Sequence, residues 1–215
     1  MCTIIYFYGA NVIMTKRIAL CITGASGTAF AYRFLEETSK KEDVEVHLVV
    51  SKAGGIVIKQ ELGISVQGVQ ELADFSYDEH NFMAPIASGS FRLDGTIVSP
   101  CSMKTLSGIA HAYEDNLIIR CASIALKERR KLVLMPRETP LSTIHIKNML
   151  EASRAGAIIM PPMPQFYFRP KSMEDLIDMT AGKMLSMLGI ESRLSREWGS
   201  DDAALKEFEP QNGIY

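Results

Sequence analysis

Arg17-Ile-Ala-Leu-Cys-Ile-Thr-Gly-Ala-Ser-Gly27 decides the fold. Residues 17–23 form a continuous apolar run, 24–27 a tight turn, and 28–40 carry apolar residues at helical spacing, so the segment reads as strand, turn, helix. A second apolar run at 44–50 has the character of a strand buried on both faces, and 53–62 reads as another helix. Together they make a βαβ unit. Further out, Gly95-Thr-Ile-Val-Ser-Pro100 reads as a third strand ending at Cys101-Ser-Met-Lys-Thr105, with a helix directly after it. Asp115 is expected to cap a helix running to residue 130, and 131–135 reads as a fourth strand. Thr139-Pro140 is expected to open the next helix, with Thr as cap and Pro at the first helical position. Residues 157–160 are short and β-like, 161–170 form a proline-rich loop, and Ser172-Met-Glu-Asp175 is a capping-box signature for a last helix reaching 188. The stretch 72–90 is less regular.

This alternation predicts an α/β protein, a parallel sheet with helices on both faces whose ligands sit beyond the carboxyl ends of the strands. A chain of 215 residues supports one domain with a large core. Its expected extent is 14–199, with an apolar appendage at 1–13 and a polar tail at 200–215. The appendage lacks a basic leader region and is too short to span a bilayer. Lys and Arg total 23 against 25 Asp and Glu, which gives no general attraction to nucleic acid or an anionic membrane, so any anion site is local. Cys2, Cys21, Cys101 and Cys121 lack the short paired spacing of a zinc site, and a reducing cytoplasm suits them. The four histidines, His47 among them, show no metal or triad spacing, and no metal is expected.

The turn Thr23-Gly-Ala-Ser-Gly27 places backbone N–H groups and the positive end of a helix where a phosphate can bind, although glycines there also serve a plain tight turn. Only two glycines are present, and the second strand runs into Ser51-Lys52 without a carboxylate for a ribose diol, which disfavours NAD and favours a mononucleotide. Ser51 adds a possible donor. Ser102 and Thr105 follow the third strand and read either as ligands to the same crevice or as a helix cap. Arg120 and Lys127 are two helical turns apart on one face, a solvated face or an anion site, and Arg137-Glu138 follows the fourth strand where several cations could converge on an anionic leaving group. Glu61 reads as a surface residue. The aromatic run Phe166-Tyr-Phe168 and Trp198 read as satellite core, or as faces that stabilise a carbocation beside a phosphate site.

Five segments resemble the UbiX-type flavin prenyltransferases: Thr23-Gly-Ala-Ser-Gly27; Ala87-Ser-Gly-Ser90; Pro100-Cys-Ser-Met-Lys-Thr-Leu-Ser-Gly108; Ala125-Leu-Lys-Glu-Arg-Arg130 with Pro136-Arg-Glu138; and Pro161-Pro-Met-Pro-Gln-Phe-Tyr167. The likeness runs from residue 14 to about 198. It implies a flavodoxin-like fold and an enzyme that alkylates reduced FMN with dimethylallyl phosphate, giving prenylated FMN for a UbiD-type decarboxylase, with ubiquinone biosynthesis as the expected setting. By motif it implies that Gly24, Ala25, Ser26, Ser51, Ser102, Met103, Lys104, Thr105 and Arg137 contact the flavin nucleotide. Tyr167, Lys183, Arg120, Lys127 and Trp198 would meet the prenyl donor, and Glu138, Lys127, Glu61 and Ser26 would take part in the chemistry. A homo-oligomer, up to a dodecamer, with the prenyl site shared between chains is also implied.

Two positions depart from that pattern: Lys183 stands where Arg is common, keeping charge but losing a bidentate fork, and Phe82 stands where some members carry Trp. The competing readings are a flavin-dependent cysteine decarboxylase or an aromatic acid decarboxylase subunit on the same fold, and a non-catalytic flavin carrier.

Overall fold

Strand β1 (Lys16–Ile22) sends Ile18, Leu20 and Ile22 to one face of a sheet and Ala19 and Cys21 to the other, all five buried. A strand apolar on both sides needs helices on both sides. The computed structural model describes residues 15–194, and they supply both layers. After β1 come α1 (Thr28–Thr38), β2 (Val44–Val50), α2 (Lys52–Leu62), α3 (Val66–Gln70), β3 (Phe75–Tyr77), β4 (Gly95–Cys101), α4 (Met103–Ala110), α5 (Leu117–Lys127), β5 (Lys131–Pro136), α6 (Thr143–Ala155), β6 (Ile158–Ile159) and α7 (Met173–Met187). Short 3-10 turns occupy Pro85–Ala87 and Phe166–Phe168. The appendage, the polar tail and Trp198 lie outside the described residues.

All five strand pairings are parallel, in the order β3-β2-β1-β4-β5-β6. With the edge strand β3 set aside this is the flavodoxin-like order, and it reverses direction between β1 and β4, where such folds open a ligand crevice. On one face Phe34, Leu35, Ile58, Val69, Met184 and Leu185, from α1, α2, α3 and α7, pack on the sheet. On the other, Leu106, Ile109, Ile118, Cys121 and Ala152, from α4, α5 and α6, do the same. No helix among the described residues is long and apolar enough to cross a membrane.

Four local expectations need correction. The irregular stretch contains β3, which pairs with β2 through His47, Leu48 and Val49. Helix α5 is capped by Asn116, whose side chain accepts from the Ile119 amide, because Asp115 is engaged by Lys104. Helix α6 starts at Thr143, where Ser142 and His145 form a reciprocal capping box, rather than at Thr139-Pro140. Phe166 and Tyr167 are exposed and not satellite core.

Buried beside β3, His47 stacks with Phe75 and Tyr77 and meets Phe91 edge-on. Glu45 accepts from Nε2 at 2.8 Å, so the neutral ring offers Nδ1 as acceptor to the Tyr77 hydroxyl at 2.9 Å. Arg17 in turn pairs with Glu45. Burial lowers the His47 pKa below its usual value, and the Glu45 carboxylate offsets this only in part. As pH falls through the ordinary imidazole range of about 6.5, the unfolded chain takes the proton first. Stability contributed by neutral His47 is therefore complete above that pH and drains away below it. A His47→Gln variant is expected to lose part of the decline in urea midpoint between pH 7.5 and 5.5; an unchanged decline would contradict this assignment.

Candidate active site

At the carboxyl ends of β1, β2, β4 and β5 the chain makes four turns, and hydrogen bonds tie them together. The Thr23 hydroxyl donates to the Pro100 carbonyl at 2.7 Å and accepts from the Ser102 amide at 2.8 Å, bridging β1 and β4. The Ser51 amide bonds the Ile22 carbonyl, and the Arg137 amide the Cys101 carbonyl. Two glycines bring the first two turns into contact: a Cβ on Gly24 would lie 2.5 Å from the Ala53 Cβ, and one on Gly54 would lie 2.7 Å from the Ile22 carbonyl oxygen. The turn 23–27 is thereby pressed against the start of α2.

Gly27, at φ 105°, is the N-cap of α1 but offers no side chain to cap it. Glu61, on the last turn of α2, supplies the missing acceptor. Its carboxylate takes the Gly27 amide at 3.0 Å, the Thr28 amide at 2.9 Å and the Thr28 hydroxyl at 2.8 Å. The Ser26 hydroxyl also donates to it. Burial alone would raise the Glu61 pKa; the bonds from Ser26, Thr28 and Gly27 outweigh that and hold it below the usual carboxylate range. The positive end of α1, expected from sequence to face a phosphate, is already occupied by this anion. Further up the turn, the Gly24 and Ala25 amides make no hydrogen bond to a described residue.

Ser51 and Ser102 are N-caps of α2 and α4, accepting from the Gly54 and Thr105 amides, and Ser102 also donates to the Thr105 hydroxyl. The cap reading is thus correct at Ser102, and Ser51, read from sequence only as a possible donor, is a cap as well. Met103 packs its partly buried side chain on the α4 face of the core. Lys104 pairs with Asp115 at 2.7 Å. The Arg137 side chain is exposed and makes no hydrogen bond or ion pair with a described residue, and Glu138 accepts from the Thr139 amide at 3.0 Å.

Three cations of α5 and its C-terminal extension grip the loop 87–91. Arg120 Nε donates to the Ala87 carbonyl at 3.1 Å, and Arg130 donates to the Gly89 and Phe91 carbonyls at 2.7 and 2.8 Å. Lys127 pairs with Glu128 beside Gly89, where a Cβ would strike both groups. This cluster does not join Arg137 and Glu138 within one chain. Lys127 lies just ahead of the amino end of β5, a strand of six residues, whereas Arg137 follows its carboxyl end about 20 Å away. Lys183 is on α7, which covers the opposite sheet face and ends beside Lys16 and Gly95, again at the amino ends of the strands. Tyr167 stands on the exposed 3-10 turn.

No cysteine is poised as a nucleophile among the described residues: burial pushes Cys101 and Cys121 up to about 12 and raises Cys21 as well. Nor do the described residues hold a cluster of His, Cys, Asp or Glu suited to a metal.

A family model described as Flavoprotein matches residues 11–195. The flavin prenyltransferase UbiX of Methanocaldococcus jannaschii is 48% identical over 184 residues, spanning 86% of this chain and 99% of that protein. The chain belongs to the Flavoprotein family and is of UbiX type. A crystal structure of AnUbiX (PadA1) in complex with FMN and dimethylallyl pyrophosphate matches with a TM-score of 0.83 and 46% identity, over 86% of this chain and 97% of that one. A dodecameric FMN-dependent UbiX-like decarboxylase from Escherichia coli O157:H7 matches with a TM-score of 0.83 and 45% identity, over 85% and 98%.

Within this UbiX-type chain the turns at 23–27, 51, 102–105 and 137 are hydrogen-bonded together, while the described donor-side residues Arg120, Lys127, Tyr167 and Lys183 are spread over both sheet faces and both ends. The Thr23 hydroxyl and Arg130 were not singled out from sequence. Thr23 looks like any strand-ending residue, and Arg130 sits in a charged run that resembles a solvated face.

Because Glu61 caps α1 as an anion, Glu61→Ala is expected to cost about 1 kcal/mol at neutral pH, the usual loss for a helix cap at a partly exposed site. The folded-state pKa is the lower one, so the contribution is complete above the unfolded carboxylate pKa and is lost as pH falls through the folded value. Urea midpoints of variant and parent should converge in acid. A deficit that persists unchanged at pH 3 would rule out the charge-dependent part.

Proposed function

We propose that this chain is a flavin prenyltransferase that moves the dimethylallyl group of dimethylallyl phosphate onto reduced FMN, giving prenylated FMN. The observation that supports the reading is the set of turns hydrogen-bonded together at the β1/β4 reversal, which carry the Gly24 and Ala25 amides, without a partner among the described residues, the Ser51 and Ser102 hydroxyls and the exposed Arg137 guanidinium. This donor set suits a flavin mononucleotide: amides, hydroxyls and one guanidinium for phosphate and ribityl oxygens, and close-packed glycines where a side chain would obstruct.

Bound there, reduced FMN supplies the nucleophilic ring. The new bond forms to the allylic carbon while the allylic C–O bond breaks, and its electron pair leaves with phosphate. Arg120, Lys127 and Lys183 are the cations assigned to that leaving group, with Tyr167 as a hydroxyl donor and Trp198 as an aromatic neighbour. The Ser26 hydroxyl, hydrogen-bonded to an ionised Glu61, can take the proton lost from the ring while passing its own to the Glu61 carboxylate. Glu138 serves as the acid-base group at the leaving phosphate.

One chain separates the flavin-side turns from Lys127 and Lys183, so the complete site needs a second copy. Exposed Ile146 and Leu150, one turn apart on α6, with Met163 and Phe166 nearby in the chain, give an apolar face suited to such association. We assign a homo-oligomer, with the dodecamer named for the Escherichia coli relative as the expected form. The domain spans 14–199, its setting is the cytoplasm, in keeping with three free buried thiols, and a UbiD-type decarboxylase, in ubiquinone biosynthesis, consumes the product.

Protein, chemically reduced FMN and dimethylallyl phosphate mixed without oxygen should yield a flavin heavier by one dimethylallyl group. Glu138→Gln should retain FMN and lower product formation at least about a hundredfold. Unchanged flavin mass, with turnover of a cysteine substrate, would instead indicate a decarboxylase; unaltered flavin delivery by Glu138→Gln without any alkylation would indicate a carrier.

Placing two charges in the α6 face, as Ile146→Asp with Leu150→Asp, should shift the light-scattering mass to smaller species and abolish alkylation. A full-size assembly in that variant would remove α6 from the interface.

A further inference from the structure

Between α4 and α5 two neighbouring carboxylates each hold a different cation. Glu114 Oε2 accepts from Arg120 NH1 at 2.8 Å, and Asp115 Oδ2 accepts from Lys104 Nζ at 2.7 Å. The two cations belong to different halves of the proposed site: Lys104 to the β4–α4 flavin motif, Arg120 to the donor-phosphate set. We propose that Glu114 and Asp115 are positioning residues, Glu114 setting the Arg120 guanidinium for the donor phosphate and Asp115 setting Lys104 for the flavin nucleotide. The inference rests on the prenyltransferase reading for the names of the two ligands, but not for the existence of two separately held cations.

Arg120 is bound on two edges. Nε donates to the Ala87 carbonyl at 3.1 Å, and NH1 donates to Glu114, so two hydrogen bonds fix the plane of the guanidinium and direct its remaining N–H groups. Without Glu114 the Ala87 bond alone would remain, and the group could turn about it. Its side chain is one-third exposed, which leaves the guanidinium room to turn. Ordering a freed side chain on binding weakens affinity by about three- to tenfold. Glu114 also carries a charge that opposes an incoming anion, and the two effects separate by substitution. Gln keeps an oxygen acceptor for NH1 and removes the charge, whereas Ala removes both.

Asp115 has a fixed backbone of its own. Its amide bonds the Tyr113 carbonyl, and the next residue, Asn116, is pinned by capping Ile119 and by donating to Glu79 Oε2 at 3.2 Å. Glu79 in turn accepts from the Lys52 amide at the start of α2 with its other oxygen. The pair of carboxylates therefore stands on a frame tied to both the flavin-side turn at Ser51 and the start of α5, which lets two adjacent side chains act in different directions.

The test uses the full-length protein and two titrations by calorimetry, one with FMN and one, on protein already saturated with FMN, with inorganic phosphate as the probe of the donor side. Glu114→Ala should weaken phosphate binding three- to tenfold with FMN affinity unchanged, and Glu114→Gln should bind phosphate at least as tightly as the parent. Asp115→Ala should weaken FMN and leave phosphate alone. In turnover, the Glu114→Ala loss should fall on KM for dimethylallyl phosphate and not on kcat. Equal phosphate binding by the Ala and Gln variants, or a parallel loss of both ligands in Glu114→Ala, would overturn the inference. If the parent protein makes no prenylated flavin, the prenyltransferase reading fails, while the phosphate and FMN titrations still decide the positioning roles.

Discussion

The Thr23 hydroxyl, almost fully buried, donates to the Pro100 carbonyl and accepts from the Ser102 amide, and with the Thr23 amide, which also donates to Pro100, it fixes the spacing of β1 and β4 at the point where strand order reverses. Elsewhere in the sheet neighbouring strands are held by ladder hydrogen bonds, but the ladder ends where the turns begin. Past that point a few single backbone bonds remain, and the Thr23 side chain reinforces them. With Thr23 in place, the turn 23–27 cannot drift from the start of α4, and the contact of Gly24 with Ala53 fixes it against the start of α2. Three turns from distant parts of the sequence thus form one rim. Buried and satisfied on both sides, such a bridge is costly to leave half made.

Glu61 imposes an electrostatic constraint on that rim. A helix start usually attracts a ligand anion, yet the first amides of α1 are satisfied by a carboxylate of the protein itself. A second anion at the same place would face repulsion and find no donors. In the proposed function a nucleotide phosphate would go to the upstream amides of Gly24 and Ala25 and toward Arg137, because the helix end already holds Glu61 beside Ser26. The arrangement also explains why the acidic residue is ionised despite its partial burial. It is paired with oriented dipoles and not with a cation, so it keeps its charge and its aim together.

Which parts of this were legible in the sequence follows from how local each cause is. β1 and β2 were plain because long apolar runs in a buried parallel sheet are seldom ambiguous, and the last helix was plain because Ser172 and Asp175 cap it through neighbours three residues apart. β3 escaped because three residues, two of them exposed, have no readable period and exist as a strand only through β2. Asp115 and Asn116 are both good cap residues; Lys104, eleven positions upstream, claims the first and leaves the second to the helix. Glu61 looked like surface because its partners are more than thirty residues away. Phe166 and Tyr167 looked like core because a run of aromatic residues is usually buried, yet both are exposed on a short 3-10 turn.

The distribution of charge supports the proposed division of the site between chains. Arg120, Lys127 and Lys104 each have a carboxylate partner within the chain, Glu114, Glu128 and Asp115, whereas Arg137 and Lys183 have none among the described residues. A site that gathered all five cations on one chain would repel itself whenever its ligands were absent. Pairing three of them and keeping the two unpaired ones apart, Arg137 at the strand tips and Lys183 on α7 near the opposite end, removes that cost from the separate chain. In the proposed oligomer, positive potential would concentrate when copies meet and anions arrive to balance it, so assembly and ligand binding would reinforce one another through the same charges.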